Sequence, residues 1–193
     1  MYKEIVNKYI KDVATEKVVV CEWVKLAIKR HEEDLLRNDL YFDEDAANHF
    51  LKFSAKCKYT KGDLASQGKR IELTPQQVFR YWVMMGWKVP SGKRRFRKIY
   101  FEVARKNGKS EEAAILCAYM LLMDKEFGAE IYTAATSYKQ ARLVFDAAKE
   151  MLKKLSSDSD KVKALTTIGK YNCAIIDTNS KLEPISSNDD KQD

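Results

Sequence analysis

Between residues 97 and 155 the sequence switches repeatedly between the two hydrophobic periods of protein structure, about 2 and about 3.6 residues, and few folds accommodate that alternation. RKIYFEVA (97–104) alternates and is rich in β-branched and aromatic side chains, which predicts a strand. RKNG (105–108) has turn chemistry, and KSEEAAILCAYMLLMDKEF (109–127) predicts a helix apolar on nearly all sides, hence buried. AEIYTAAT (129–136) predicts a second strand. SYKQARLVFDAAKEMLKKL (137–155) predicts a second helix, with Ala141, Val144, Phe145, Ala148 and Leu152 on one face. Strand, helix, strand, helix is the order of a parallel sheet covered by helices, because parallel neighbours need a long crossover. NCAIID (172–177) and LEPIS (182–186) are shorter candidates for a third and a fourth strand.

The first seventy residues carry no strand signal. Ile5, Val6, Tyr9, Ile10 and Val13 share one helical face, and Trp23, Val24, Ala27, Ile28, His31 and Leu35 share another. His31 on such a stripe is expected to be a packed core histidine rather than a ligand. DEDAANHFLKFSAKC (43–57) predicts a third helix with acidic residues at its positive end. YTKGDLASQGKRIEL (59–73) reads as a connector. A helix over 75–85 follows, with Thr74 as N-cap, Pro75 at the first position, Gln77 completing a capping box and Gly86 ending it. The expected division is a helical N-terminal region, 1–70, and an α/β part, 71–193.

A hydrophobic fraction of 45% marks a folded chain. No apolar run approaches the ~20 residues that span a bilayer, so no membrane association is expected. The N-terminal stretch MYKEIVNKYIKDVATEK lacks the apolar core of a secretion signal. Cys21, Cys57, Cys117 and Cys173 form no CxxC pair and have neither His31 nor His49 nearby, which predicts reduced cytosolic thiols and no zinc site. The formal net charge is +7, and Lys93, Arg94, Arg95, Arg97 and Lys98 lie together in SGKRRFRK. Such a cluster suits ATP or a nucleic-acid backbone, and it equally suits a solvated charged rim.

Gly108, Lys109 and Ser110 form the end of the phosphate-loop pattern G-x-x-x-x-G-K-[ST], with Val103 where the first glycine would sit. The trio stands where the pattern requires, between a predicted strand and a predicted helix. Backbone N–H groups of the turn and the helix dipole would then face phosphate, Lys109 would reach the β/γ-phosphates, and Ser110 would hold Mg2+. Arg105 and Lys106 add cations that would offset polyphosphate charge. The competing reading is a plain surface turn, since Asn107-Gly108 is a common turn pair. Glu111 and Glu112 are read as dipole partners in the first helical turn. AIID (174–177) resembles a strand ending in a Mg2+-associated aspartate, although Asp177 is followed by Thr178 instead of glutamate.

RRFRKIYFEVARKNGKSEEAAILCAYMLL (94–122) resembles the ATPase domain of bacteriophage terminase large subunits, whose variant phosphate loop opens on basic residues. Three more segments agree in order. LTPQQVFRYWVMMGW resembles the family's L-x-P-W-Q segment, with Gln76 in place of the tryptophan and leading to Gly86-Trp87. YTAATSYKQARLVFDAAKEM resembles its second strand and A-T-x-x-x-Q-A turn, and SKLEPISSNDDKQD the segment ahead of its Walker B strand. The fold so implied is an α/β P-loop NTPase of the ASCE type: a parallel sheet flanked by helices, incomplete here, behind a helical region. The resemblance implies ATP and Mg2+ as cofactors. It implies catalytic roles for Lys109 and Arg105, metal binding by Ser110, and nucleotide contacts from Gln77, Arg105, Lys106, Asn107, Gly108, Lys109 and Ser110. Gln77 matches the adenine-reading glutamine, with the capping box as its alternative. Thr136 and Gln140 match a turn that can touch nucleic acid, with a polar helix cap as theirs.

Implied partners are double-stranded DNA and, for the full-length family, the portal protein and the small terminase subunit, with a ring on the portal and a host-cytoplasm location. The family's Asp-Glu strand and nuclease domain would follow SSND, so Asp177 falls in an earlier strand and loses its candidacy. Nucleotide binding with little turnover is therefore expected. The alternative function is a nucleic-acid-binding module that uses the basic run 93–98 with no ATP role.

Overall fold

The computed structural model describes residues 1–124 and 126–187. Its contacts divide the chain into two interleaved compact units, Met1–Ala55 with Glu72–Phe101, and Lys56–Ile71 with Glu102–Asp193. This grouping differs from a cut at residue 70: the helix after Thr74 clusters with the N-terminal helices, and the connector clusters with the sheet.

The first unit is helical. It contains α1 (Tyr2–Ala14), α2 (Glu22–Asp34), α3 (Glu44–Ser54) and α5 (Pro75–Gly86), with a minimal antiparallel pair, β1 (Tyr41–Phe42) and β2 (Trp87–Lys88). α5 is the hub and packs on α1 and α3. Its apolar residues Val78, Phe79, Trp82 and Met85 are buried, as are Val6, Tyr9 and Val13 of α1 and Ala47, Phe50 and Leu51 of α3. Thr74 accepts from Gln77 N–H while the Gln77 side chain accepts from Thr74 N–H at 2.8 Å, which is the expected capping box. The buried face of α2 is narrower than the sequence stripe: Ile28, His31 and Asp34 are buried, whereas Trp23 and Leu35 are exposed. Asp34 pairs with Arg95 and Arg37, so a charged residue takes the place expected of Leu35.

His31 is a core residue. Its Nδ1 accepts a 3.0 Å hydrogen bond from Trp87 Nε1, and its ring meets Phe42, Phe79 and Trp87 nearly edge-on. Burial lowers its pKa from 6.5, against the opposing pull of the Asp34 carboxylate. The neutral ring is the folded form, and protonation would also break the Trp87 bond. With the folded pKa below the unfolded one, the stabilisation is complete above pH 6.5 and is lost as pH falls below it. Denaturant titrations at pH 7.5 and pH 5 are expected to show a larger stability loss in the wild type than in His31→Gln, which lacks the titrating ring.

The second unit is α/β with a mixed sheet in the order β3-β6-β5-β4. β3 (Glu130–Ala135) and β6 (Ser180–Ser186) run parallel in register from Glu130–Lys181 to Ala135–Ser186. β5 (Cys173–Ile175) is antiparallel to both β6 and β4 (Thr166–Ile168). The sheet is thus not the parallel one expected. Only β3 and β6 are separated by a crossover long enough for parallel pairing, whereas β4, β5 and β6 follow one another through short turns that fold back on themselves. α6 (Lys109–Leu122) and α7 (Tyr138–Asp158) pack together and on the sheet, and short helices α4 (Gly62–Ser66) and α8 (Asp160–Leu165) complete the unit. Ala141, Phe145, Ala148 and Leu152 of α7 are buried as the periodicity requires.

A second correction concerns residues 97–104, where the alternation predicts a strand and none forms. A strand exists only when a neighbour supplies its ladder, and no described segment pairs with this one. The division between the two units, at Phe101/Glu102, also falls inside it. Burial keeps three thiols inert: it pushes Cys57 up to about 12, and Cys117 and Cys173 up to about 11. None of the four cysteines is in a disulfide. Among the described residues no helix is long and apolar enough to cross a membrane.

Candidate nucleotide-binding site

Residues 104–108 form an exposed loop that leads straight into α6, whose first residues Lys109 and Ser110 are also exposed. Gly108 is the N-cap of that helix, with φ 76° and ψ 8°, and no side chain caps it. This left-handed conformation suits glycine, which has no Cβ to clash. Lys106 is also left-handed, at φ 67°, which costs a lysine about 1–2 kcal/mol. The backbone therefore changes hand on either side of Asn107, whose amide nitrogen donates to the Ala104 carbonyl at 3.1 Å. Val103 keeps an ordinary negative φ. The glycine missing from the sequence pattern is not needed at that position, because the loop turns further along, at residues 106 and 108.

Three features of this loop suit a polyphosphate. The N–H groups at the start of α6 have no acceptor within the helix, as at any helix N-terminus, and they carry the positive end of its dipole. Among the described residues the side chains of Arg105, Lys106 and Ser110 make no hydrogen bond or ion pair, so two cations and a hydroxyl stand exposed beside those N–H groups. Lys109 folds back so that its Nζ donates to the Val103 carbonyl at 2.8 Å, which closes the loop on itself. A lone hydroxyl fits Mg2+, which usually takes few protein ligands and completes its shell with phosphate and water. The neighbouring carboxylates are directed elsewhere. Glu112 is buried, and Glu111 Oε1 accepts from both the N–H and the hydroxyl of Thr60, at 3.0 and 2.6 Å.

Each of the other sequence candidates has its own local setting. Gln77 belongs to the helical unit and its amide oxygen is engaged in the capping box. Thr136 donates to Gln140 Oε1 at 3.1 Å, while Ser137 is the actual cap of α7. Asp177 sits exposed in the turn between β5 and β6 and ends no strand beside the loop. In the basic run, Arg95 is held by Asp34 and lies near the rings of Trp87 and Phe96, so it supports the helical unit; Lys93, Arg97 and Lys98 are exposed. Thr60 was not legible as a site neighbour, since 51 residues separate it from Glu111 and no local pattern links them. The last part of SSNDDKQD, residues 188–193, lies outside the described residues.

The model of the family described as "Terminase large subunit, ATPase domain" matches residues 75–193. No curated protein matches the chain. Among solved structures, the crystal structure of the HK97 bacteriophage large terminase is similar, with a TM-score of 0.57 and 20% sequence identity, over 76% of this chain and 28% of that one. At that identity the likeness bears on fold, and the chain spans little more than a quarter of that protein's length. The matched family region takes in the loop before α6, both long helices of the α/β unit and its whole sheet, which is more than half of the sequence: the chain belongs to the terminase large subunit ATPase-domain family.

Proposed function

We propose that the chain is the N-terminal part of a phage terminase large subunit and holds Mg2+-ATP as part of the motor that drives double-stranded DNA into a capsid. In this reading residues 71–193 are the first part of an ASCE-type P-loop ATPase domain and residues 1–70 its helical preface. Lys109 and Arg105 carry the catalytic contacts to phosphate. Arg105, Lys106, Asn107, Gly108, Lys109 and Ser110 form the polyphosphate cradle, Ser110 takes the metal, and Gln77 reads adenine. The portal protein and the small terminase subunit are the partners of the full-length protein, working as a ring in the host cytoplasm. The observation that carries this reading is the exposed, uncapped start of α6 at Gly108, flanked by two unpaired cations and a free hydroxyl. Because Glu111 is committed to Thr60 and Glu112 is buried, binding is expected to exceed turnover.

The test is calorimetric titration of the 193-residue chain with ATP, with and without Mg2+. Binding in the micromolar range that weakens without Mg2+ is the expected result. Salt-sensitive DNA binding that is indifferent to ATP, with no nucleotide heat, would favour the basic-run alternative. The commitment of Arg95 to Asp34 weighs against that alternative already.

A further inference from the structure

Helices α5, α6 and α7 each carry glutamine or glutamate at the third helical position, and α5 and α6 use it differently. In α5 the residue at that position, Gln77, reaches back to the N-cap N–H and closes a capping box. In α6 the residue at that position, Glu111, has the same opportunity, since glutamate is as good a partner there as glutamine. It does not take it: Gly108 has no side-chain cap. The Glu111 carboxylate instead points to Thr60, where one oxygen receives both donors, and its other oxygen is buried with no hydrogen-bond partner among the described residues. Thr60 belongs to the strap 56–71, which contains the short helix α4 and is tied to itself by Tyr59 N–H to Lys69 O at 3.1 Å and Ile71 N–H to Cys57 O at 2.8 Å. The strap is fastened at a second point, where Lys58 pairs with Asp158 at the end of α7 at 2.6 Å.

We propose that Thr60 is a positioning residue that holds Glu111 off the N-terminus of α6 and so keeps the Gly108 N–H open for phosphate. This rests on the nucleotide reading of the loop and adds to it a residue outside the motif. A carboxylate released from Thr60 has an obvious alternative acceptor role, because the uncapped N–H groups of α6 lie one helical turn away. Bound there, it would occupy the donors a phosphate needs and place a negative charge beside the β- and γ-phosphates. Thr60 supplies what prevents this: two donors directed at one oxygen, from a segment also fastened by the Lys58–Asp158 pair. The 56–71 strap thereby acquires a purpose in the ATPase unit that its connector-like composition conceals.

The experiment is Mg2+-ATP titration of wild type, Lys109→Ala, Thr60→Ser, Thr60→Val, Glu111→Ala and the double variant Thr60→Val/Glu111→Ala, each with a thermal melt. Thr60→Ser keeps both donors and is expected to bind like wild type. Thr60→Val removes the hydroxyl and keeps the backbone N–H, so it frees Glu111 in part and is expected to bind about three- to tenfold more weakly as the carboxylate competes for the α6 N–H groups. Removing the competitor is expected to undo this, so Glu111→Ala and the double variant should bind within about twofold of wild type. A merely structural clip would give the opposite pattern, with Glu111→Ala and the double variant at least as weak as Thr60→Val, and that result overturns the proposal. So does unchanged affinity in Thr60→Val beside a Lys109-dependent wild type, which leaves the nucleotide reading standing. A wild type that binds no nucleotide overturns both.

Discussion

Lys109→Ala is expected to weaken Mg2+-ATP binding by roughly ten- to a hundredfold while leaving the thermal midpoint of the protein unchanged. The first half follows from the strength of a hydrogen bond between an ammonium and a phosphate, about 1.5–3 kcal/mol when the group is lost. The second half follows from where the side chain rests without ligand. Among the described residues its hydrogen bond is the exposed one to the Val103 carbonyl, and an exposed bond of that kind is replaced by water at little cost. That resting contact uses one of the three ammonium protons, so Lys109 can keep the Val103 carbonyl while its other donors meet a phosphate. Lys109→Arg is a useful companion, because a planar guanidinium does not reproduce a compact ammonium in a tight loop. Affinity equal to wild type in Lys109→Ala, measured by the same titration, would remove the phosphate loop from the account.

Gly86→Ala is expected to destabilise the helical unit by about 1–3 kcal/mol or more, although helix propensity alone favours alanine by about 1 kcal/mol. Gly86 is the last residue of α5 and needs no left-handed backbone, so the glycine is there for space rather than for conformation. A Cβ at this position would lie within the ring of Phe42. That half-buried ring is hemmed by Trp82, Trp87 and His31, with centroids at 5.3, 5.2 and 5.4 Å, so moving it disturbs the cluster. The close approach also lets the Asp43 N–H donate to the Gly86 carbonyl at 2.8 Å and so seats the start of α3. Urea unfolding checks the claim, and a smaller residue at 42 sharpens it: Phe42→Leu should reduce the penalty of Gly86→Ala when the two are combined. A neutral or stabilising Gly86→Ala would show that the aromatic cluster is looser than described.

Much of this architecture was legible because long amphipathic helices and capping signals are local. Thr74, Pro75 and Gln77 announce α5, and the Ala141-to-Leu152 face announces α7, without reference to anything distant. What the sequence hides is pairing. The alternation of residues 97–104 shows that they suit a ladder and says nothing about whether a partner is present. The turns between β4, β5 and β6 decide strand direction by their shortness, which hydrophobic pattern does not encode. Trp23 shows a related limit, since a residue can lie at the margin of an apolar stripe and still face solvent. At the candidate site the contiguous loop was readable from Arg105 to Ser110, but not its handedness. Val103 stood out as a departure from the pattern, whereas the unusual backbone belongs to Lys106. Thr60 was invisible for the same reason as the ladders: its partner is remote in sequence.

The chain passes between its two units three times, near residues 55, 71 and 101. Neither unit is therefore a contiguous stretch that a single truncation could isolate. A deletion series trimmed from the N-terminus removes α1, α2 and α3 from the first unit before it reaches α5, leaving the hub helix without its partners. A protein begun at residue 72 keeps the loop before α6 but discards Thr60, the partner of Glu111, so a change in its properties cannot be assigned to the helical region alone. Dissecting this protein calls for substitutions at chosen contacts, or for replacing residues 56–71 with a neutral spacer, rather than for cutting it into pieces.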